Sequence, residues 1–528
     1  MNLYTKLNSK LAWIVSLLFL FAVLFQVFWL LDKGMVFSDE AFFILHTIPG
    51  FAKSGLTYWY ILYSPFIFDN YLITNYVLVI FSIVSVFFMG YACASYLKFP
   101  VSPILVGVWC ILSQFILYSP TVISTNHSSI NYLIFNCLIA SLSFFLLNKK
   151  NIFLLLLGFF LTSLIFVFIT STIFIIPLLI FLYLNNKKEF WKQIIWIVMG
   201  SLIMISYYFI FLQTPHDFIS GIVKAIELLK HDATHGSSGL VIWHKKIIAK
   251  LLMILPLILI FSIKTLRRYW FMIIFLIGSF LIIFYIIYPG FIHRSAMVPT
   301  FSFYFLAIII LIESFKNEIS IKFCYALLLL ILPYFASFGT DMDLFIKSTF
   351  YFPFILVPSL YLGLQLNSKV GNLLSISFIS ITIIAMFTFF TYPFRYTWDK
   401  EYKPIEQNIA YEFRGSTIYF DSEKIQKLNE AKSFVQGEKN ILVSDPKLWG
   451  YVLVLGGKPP LLYYKFNDYV LKFIEENNLS KQKLIFLEDH QNPFKREVFQ
   501  KFSGDEFILK KIELSSFNVY TIEICDSF

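Results

Sequence analysis

The sequence predicts a polytopic α-helical membrane protein of about thirteen spans carrying a small C-terminal α/β domain. Three observations predict it. The 528-residue chain is 58% hydrophobic with a mean hydropathy of +0.74, which leaves too little polar surface to cover a water-soluble globule. Apolar runs of about 20 residues recur from Leu11 to Phe394, each long enough to cross ~30 Å of hydrocarbon as a helix, without the alternation of a membrane β-barrel. After Phe394 the composition turns abruptly to charged and mixed sequence.

Taken in order, spans are expected near 11–31, 72–95, 102–119, 130–147, 152–168, 170–184, 193–212, 247–266, 269–288, 300–315, 322–339, 350–366 and 371–392. The first follows a Lys-bearing start, is too long for a signal h-region, and has no small-residue cleavage site after it, so it reads as an uncleaved span. The run 152–184 lies between two lysine clusters, and that parity requires two short helices or a re-entrant pair, with Thr170, Ser171 and Pro177 as the break. The formal charge of +10 sits mostly in short connections: Lys6 and Lys10, Lys98, Lys149–Lys150, Lys187–Lys188–Lys192, Lys264–Arg267–Arg268, Lys316–Lys322 and Lys369. That is the positive-inside pattern rather than a nucleic-acid footprint. It sets a cytoplasmic N-terminus, an external C-terminus, and external loops at 32–71, 120–129, 213–246, 289–299 and 340–349. Within the two long loops, "DEAFFILHTIPGFAKSG" and "HDFISGIVKAIELLKHD" have helical spacing and are expected to lie amphipathically at the interface. Tyr58, Trp59, Tyr60 and Tyr63 would form an aromatic belt beside them.

The chain divides into a transmembrane domain, 1–394, and an external α/β domain, 395–528, of ordinary domain size. In the latter "NILVSDPKLWGYVLVLGG" and "QKLIFLED" read as buried strands and "NDYVLKFIEENN" as a helix. No Gly-rich phosphate loop or zinc-ligand spacing occurs in it. Four of the five cysteines fall in or beside spans and Cys525 stands alone, which argues against a disulfide framework.

Two constellations stand out as chemistry. In "GMVFSDEAFF", Asp39 and Glu40 follow the first span by a few positions. A carboxylate there avoids lipid and faces water or a cavity; the structural alternatives are that both acids merely solvate a loop or that Ser38–Asp39 caps the following helix. In "YPGFIHRSAMVP", His293 and Arg294 lie on the external side of a span, against the general charge bias. An Arg there can grip a lipid phosphate with two parallel hydrogen bonds, or simply snorkel from a helix end. Weaker candidates are Asn126 and His127 in "STNHSS" and Asp341 in "GTDMD". His216, Asp217, His231, Asp232 and His235 follow no metal-ligand spacing.

In order, sidedness and spacing these features resemble the GT-C superfamily of membrane glycosyltransferases, nearest to the protein O-mannosyltransferase and aminoarabinose transferase type. "SDEAFF" matches the acidic motif of their first external loop, with Asp39 at the catalytic aspartate. "HRSAMVP" matches their late His/Arg stretch before a Pro, with Arg294 where the donor phosphate is met. The chain departs from the pattern in offering only "STNHSS" in the second external loop and Arg294–Ser295 where Arg-Tyr is usual.

The resemblance implies an inverting transferase that takes a sugar from a polyprenyl-phosphate donor and passes it to a lipid, glycan or protein hydroxyl outside a bacterial inner membrane. Asp39, with Glu40, would accept the acceptor's proton. Arg294 and His293 would hold the phosphate, and Asn126, His127 and Asp341 are candidate substrate contacts. No cofactor is required, a divalent metal is compatible with the site, and no nucleic acid is involved. The rival readings are an outer-leaflet polysaccharide polymerase or ligase and a lipid-linked-sugar transporter. The former concentrates Arg and His in late external loops, and the latter needs ionisable groups at the midplane of its spans.

Overall fold

The computed structural model describes residues 10–35, 37, 39–45, 59–117, 127–230, 320–337, 351–366, 404–437, 440–457, 471–472, 485–503, 507–515 and 517–524. The expected spans 247–266, 269–288, 300–315 and 371–392 lie outside them.

Twelve helices precede the C-terminal unit among the described residues: α1 Lys10–Leu30, α2 Asp39–Leu45, α3 Trp59–Leu62, α4 Tyr71–Leu97, α5 Pro103–Leu117, α6 His127–Asn148, α7 Asn151–Val167, α8 Ile175–Asn185, α9 Phe190–Tyr207, α10 Pro215–Lys230, α11 Ile321–Ser337 and α12 Phe352–Leu366. Trp13–Leu30, Tyr71–Leu97, Ser128–Asn148 and Phe190–Leu212 are long and apolar enough to cross a membrane, and the last includes a π-helical turn at Tyr208–Leu212. Ile14, Leu18, Phe21 and Phe25 on α1 and Trp191, Ile195 and Leu202 on α9 are exposed, as suits helices whose outer faces meet lipid tails.

Side-chain contacts orient the bundle. Asn136 Nδ2 donates to Ser85 Oγ at 3.4 Å, and Cys93 Sγ lies 3.5 Å from Ser143 Oγ, so α4 and α6 run parallel. The short links at 98–102 and 149–150 turn α5 against α4 and α7 against α6, as in helical hairpins. Phe174 meets Phe335 and Phe181 meets Tyr325, so α8 runs against α11. The run 152–184 thus crosses the depth of the bundle twice. The turn is made by extended Phe168 (φ −155°, ψ 92°) followed by a 3-10 segment, Ile169–Phe174.

In consequence Lys98, Lys149, Lys150, Lys187, Lys188, Lys192 and Lys322 gather at one end, where Lys322 Nζ donates to Leu97 O at 3.2 Å. The opposite end receives the C-terminus of α1, all of α2 and the N-terminus of α4.

The pair α7–α9 packs backbone to backbone. A Cβ on Gly158 would overlap Ile197 O, and one on Gly200 would overlap Leu155 O; small residues let helices approach this closely in lipid. Since backbone cannot give way as a side chain can, Gly158→Val is expected to lower stability by about 3 kcal/mol, read as a fall in the thermal midpoint in detergent.

The C-terminal unit comprises a hairpin, β1 Ile409–Phe413 with β2 Ser416–Phe420, then α13 Ser422–Val435, β3 Ile441–Val443, α14 Trp449–Val454, β4 Ile485–Asp489, α15 Arg496–Ser503, β5 Phe507–Glu513 and β6 Phe517–Ile524. The last four strands form one sheet in the order β3-β4-β6-β5, with only β3–β4 parallel. The strand at Ile485–Asp489 is as expected.

Three expectations are corrected. "WGYVLV" is helix, not strand: Asp445 accepts from Lys447 N at 2.8 Å and Pro446 opens a helical turn, which Trp449–Val454 continues. The α2 segment does not lie free on a membrane surface, because Ala41, Ile44 and Leu45 are buried against the C-terminal unit. Tyr60 and Tyr63 form no belt; both are buried in the bundle.

Candidate active site at the first connection

The connection between α1 and α4 is seated from three directions. Where α1 ends, Tyr419 N donates to Asp32 O at 2.8 Å. Lys33 pairs with Asp32 at 3.2 Å and lays its ammonium 4.0 Å from the Tyr419 ring centroid. Where α4 begins, Asn70 is the N-cap, accepting from Ile73 N at 3.0 Å. The tip of the β1–β2 hairpin completes that cap: Asn70 Nδ2 donates to Gly415 O at 2.5 Å, Ser416 Oγ to Asn70 Oδ1 at 2.6 Å, and Leu72 N to Ser416 Oγ at 3.1 Å. Arg414 and Gly415 both have positive φ (46° and 67°), the geometry of a two-residue type I′ turn. Burial lowers the pKa of Arg414, and the charge of Asp69 opposes that shift.

Between these anchors Phe37, 3% exposed, is plugged into the C-terminal unit. Its ring meets Tyr451 and Phe420 edge-on at 5.0 and 5.7 Å, and Lys424 Nζ stands 4.3 Å from its centroid. Below it is Gly450, where a Cβ would overlap Phe37 itself. Phe42 packs against fully buried Trp449. Phe37 and Phe42 thus bracket the first turn of α2.

Asp39 opens that turn. Glu40, 7% exposed, accepts a 2.5 Å hydrogen bond from Tyr71 Oη in the first turn of α4. Its carboxylate therefore ties two helices together and is withdrawn from solvent, which suits a positioning role better than proton transfer with a bulky substrate. Tyr71→Phe deletes this bond without changing shape. It is expected to lower stability by about 1–2 kcal/mol, seen as an earlier thermal transition.

Of the residues singled out in the sequence, Asp39 and Glu40 are placed at this site, and His127 opens α6 at the same end of the bundle. His293, Arg294, Asn126 and Asp341 lie outside the described residues, as do His231, Asp232 and His235. Among the described residues no three His, Cys, Asp or Glu side chains gather as metal ligands do. Sequence reasoning missed Tyr71, Phe37, Gly450 and the Asn70–Ser416 cap. Only the cap had a local signal, an Asn directly before an apolar helical run. Compared with known proteins, the chain matches no family model, and the curated proteins contain no significant match to it.

Proposed function

We propose that this chain is an inverting membrane glycosyltransferase, moving a sugar from a polyprenyl-phosphate donor to an acceptor hydroxyl on the outer face of a bacterial inner membrane. The observation that carries the proposal is the seating of Asp39–Glu40. The acidic turn is fixed between the end of α1, the start of α4 and the C-terminal unit, at the end of the bundle opposite the lysines. By the positive-inside rule the lysine end is cytoplasmic, so the acidic turn and the C-terminal unit face outward, where a lipid-borne donor meets its acceptor.

The chemistry follows from the leaving group. The acceptor oxygen attacks the anomeric carbon as the bond from that carbon to the phosphate oxygen breaks, and Asp39 takes the hydroxyl proton. A glycosidase needs an acid to protonate its leaving alkoxide. A phosphate monoester, with a second pKa near 6, leaves without one. A fixed cation stabilises its growing charge, the role proposed for Arg294 with His293 beside it. Glu40, held by Tyr71, keeps the turn that carries Asp39 in place. Asn126, His127 and Asp341 are proposed to line the approach of the substrates. A further support is that the described long helices carry no charged residue between their first and last turns, whereas an ion-coupled transporter needs such groups near the midplane.

The test of the phosphate site is Arg294→Ala. It is expected to raise the half-saturating donor concentration about tenfold or more while acceptor dependence changes little, measured with a radiolabelled polyprenyl-phosphate sugar. Unchanged donor dependence would remove Arg294 from the site.

A further inference from the structure

The tip of the β1–β2 hairpin sits where the longest described helix begins. α4 has 27 residues and is therefore ~40 Å long, closer to a bilayer with its headgroup layers, ~40–45 Å, than to its ~30 Å hydrocarbon core. Its first turn thus lies among headgroups. Ile73, Ile80, Val84 and Phe88 make an exposed stripe along it, which suits lipid tails. The stripe ends at Ile73. About one turn beyond, on the same face, is Asn70, the cap that the hairpin holds through Gly415 O and Ser416 Oγ. Phe66 and Phe68 are exposed beside it, and Phe66 meets Phe81 of α4 edge-on at 5.3 Å.

Two charges flank this cap. Asp69 directly precedes Asn70 and is exposed; Arg414 directly precedes Gly415 and is half-buried. Arg414 O accepts from Tyr71 N at 3.4 Å, so the hairpin and the start of α4 are in contact here. The charge of Asp69 acts on Arg414, yet the two make no ion pair, and the Arg414 guanidinium has no hydrogen-bond partner among the described residues. The backbone adds a second observation. At φ 46° Arg414 is left-handed, at a turn position where Asn, Asp or Gly is ordinary and a long side chain is a cost. A five-donor cation held in a strained conformation, partly desolvated and unpaired, points to an acceptor from outside the chain.

The neighbourhood describes that acceptor. A lipid phosphate matches the planar guanidinium with two parallel hydrogen bonds. The exposed carboxylate of Asp69 repels a headgroup that carries only negative charge and attracts one that also carries an ammonium. We propose that Arg414 and Asp69 bind a zwitterionic phospholipid headgroup of the surrounding leaflet, Arg414 taking the phosphate and Asp69 a primary ammonium. The site seats the C-terminal unit on the membrane and does not depend on the transferase reading. An Arg414 that merely reaches for water would show no preference among headgroups.

The test titrates the full chain, in a polyoxyethylene detergent, with phosphatidylethanolamine and counts bound lipid by native mass spectrometry. Phosphatidylcholine, phosphatidylglycerol, diacylglycerol and free phosphoethanolamine are the comparisons. The wild type is expected to bind phosphatidylethanolamine at lower concentration than any of them. In Arg414→Asn the half-saturating concentration is expected to rise about tenfold, while the thermal midpoint without lipid stays the same or rises, because Asn suits the left-handed position. Lipid seated elsewhere on the bundle is common to both proteins and cancels in that ratio. Unchanged binding in Arg414→Asn, or diacylglycerol binding as tightly as phosphatidylethanolamine, would overturn the phosphate contact. Equally tight phosphatidylglycerol or phosphatidylcholine would overturn the ammonium contact, and equal potency of free phosphoethanolamine the assignment to a membrane lipid. If Arg414→Asn does not fold, Arg414→Gly carries the same expectations. Independently, Asp69→Asn is expected to erase the preference for phosphatidylethanolamine over phosphatidylglycerol, and a preference that persists would remove Asp69 from the site.

Discussion

Replacing Gly450 with valine is expected to unseat the acidic turn and to cost about 3 kcal/mol or more. Gly450 is in the first turn of α14, and its missing side chain is the socket for Phe37. Even a single added carbon would overlap the Phe37 ring. That ring cannot swing aside, since Tyr451 and Phe420 hold its edges and Lys424 covers its face. A β-branched residue in the same helix must therefore push α14 away from the α1–α4 connection. The expected result is a lower thermal midpoint together with faster protease cleavage around residue 37. Phe37→Ala should produce the same cleavage from the other side, because emptying a buried aromatic site costs about 3–5 kcal/mol. Gly450→Ser offers the graded case: smaller than valine, it still places a Cβ where the ring lies.

Asp39→Asn is expected to abolish transfer while leaving the midpoint near that of the wild type. The two side chains have the same shape, but an amide cannot accept the acceptor's proton. The loss expected for a general base is about a hundred- to ten-thousandfold. Glu40→Gln should behave differently. Glu40 is buried and accepts from Tyr71, so its substitution should act chiefly on stability, as Tyr71→Phe does. Opposite outcomes for the neighbouring carboxylates separate a residue that reacts from one that positions it.

Much of the helical architecture was legible because it is written locally. A run such as Tyr71–Leu97 announces itself by length and apolarity, and Lys149–Lys150 marks the turn between α6 and α7 in two letters. A break near Thr170 and Ser171 was legible for a similar reason, since a single uninterrupted helix could not return the chain to its own side. The turn falls at Phe168 and Ile169–Phe174, whereas Pro177, the third residue named for it, lies inside α8. What could not be read is non-local or locally ambiguous. The six apolar residues Trp449–Val454 carry no periodicity that separates strand from helix; Asp445 and Pro446 decided it. The contact of Phe37 with Gly450 joins positions more than 400 residues apart, and nothing near either one signals the other. Likewise Asp39–Glu40 could be seen as a conspicuous pair, but the different fate of Glu40 became visible only with Tyr71 beside it.

The most direct measurement of the central claim follows both products in one reaction. Purified protein in detergent is incubated with a lipid extract of its host and envelope glycans, and mass spectrometry tracks polyprenyl-phosphate sugars, free polyprenyl phosphate and the acceptor. The account predicts that wild-type protein releases polyprenyl phosphate in step with sugar gained by the acceptor, and that Asp39→Asn does neither while remaining folded. Equal release by wild type and Asp39→Asn would contradict it.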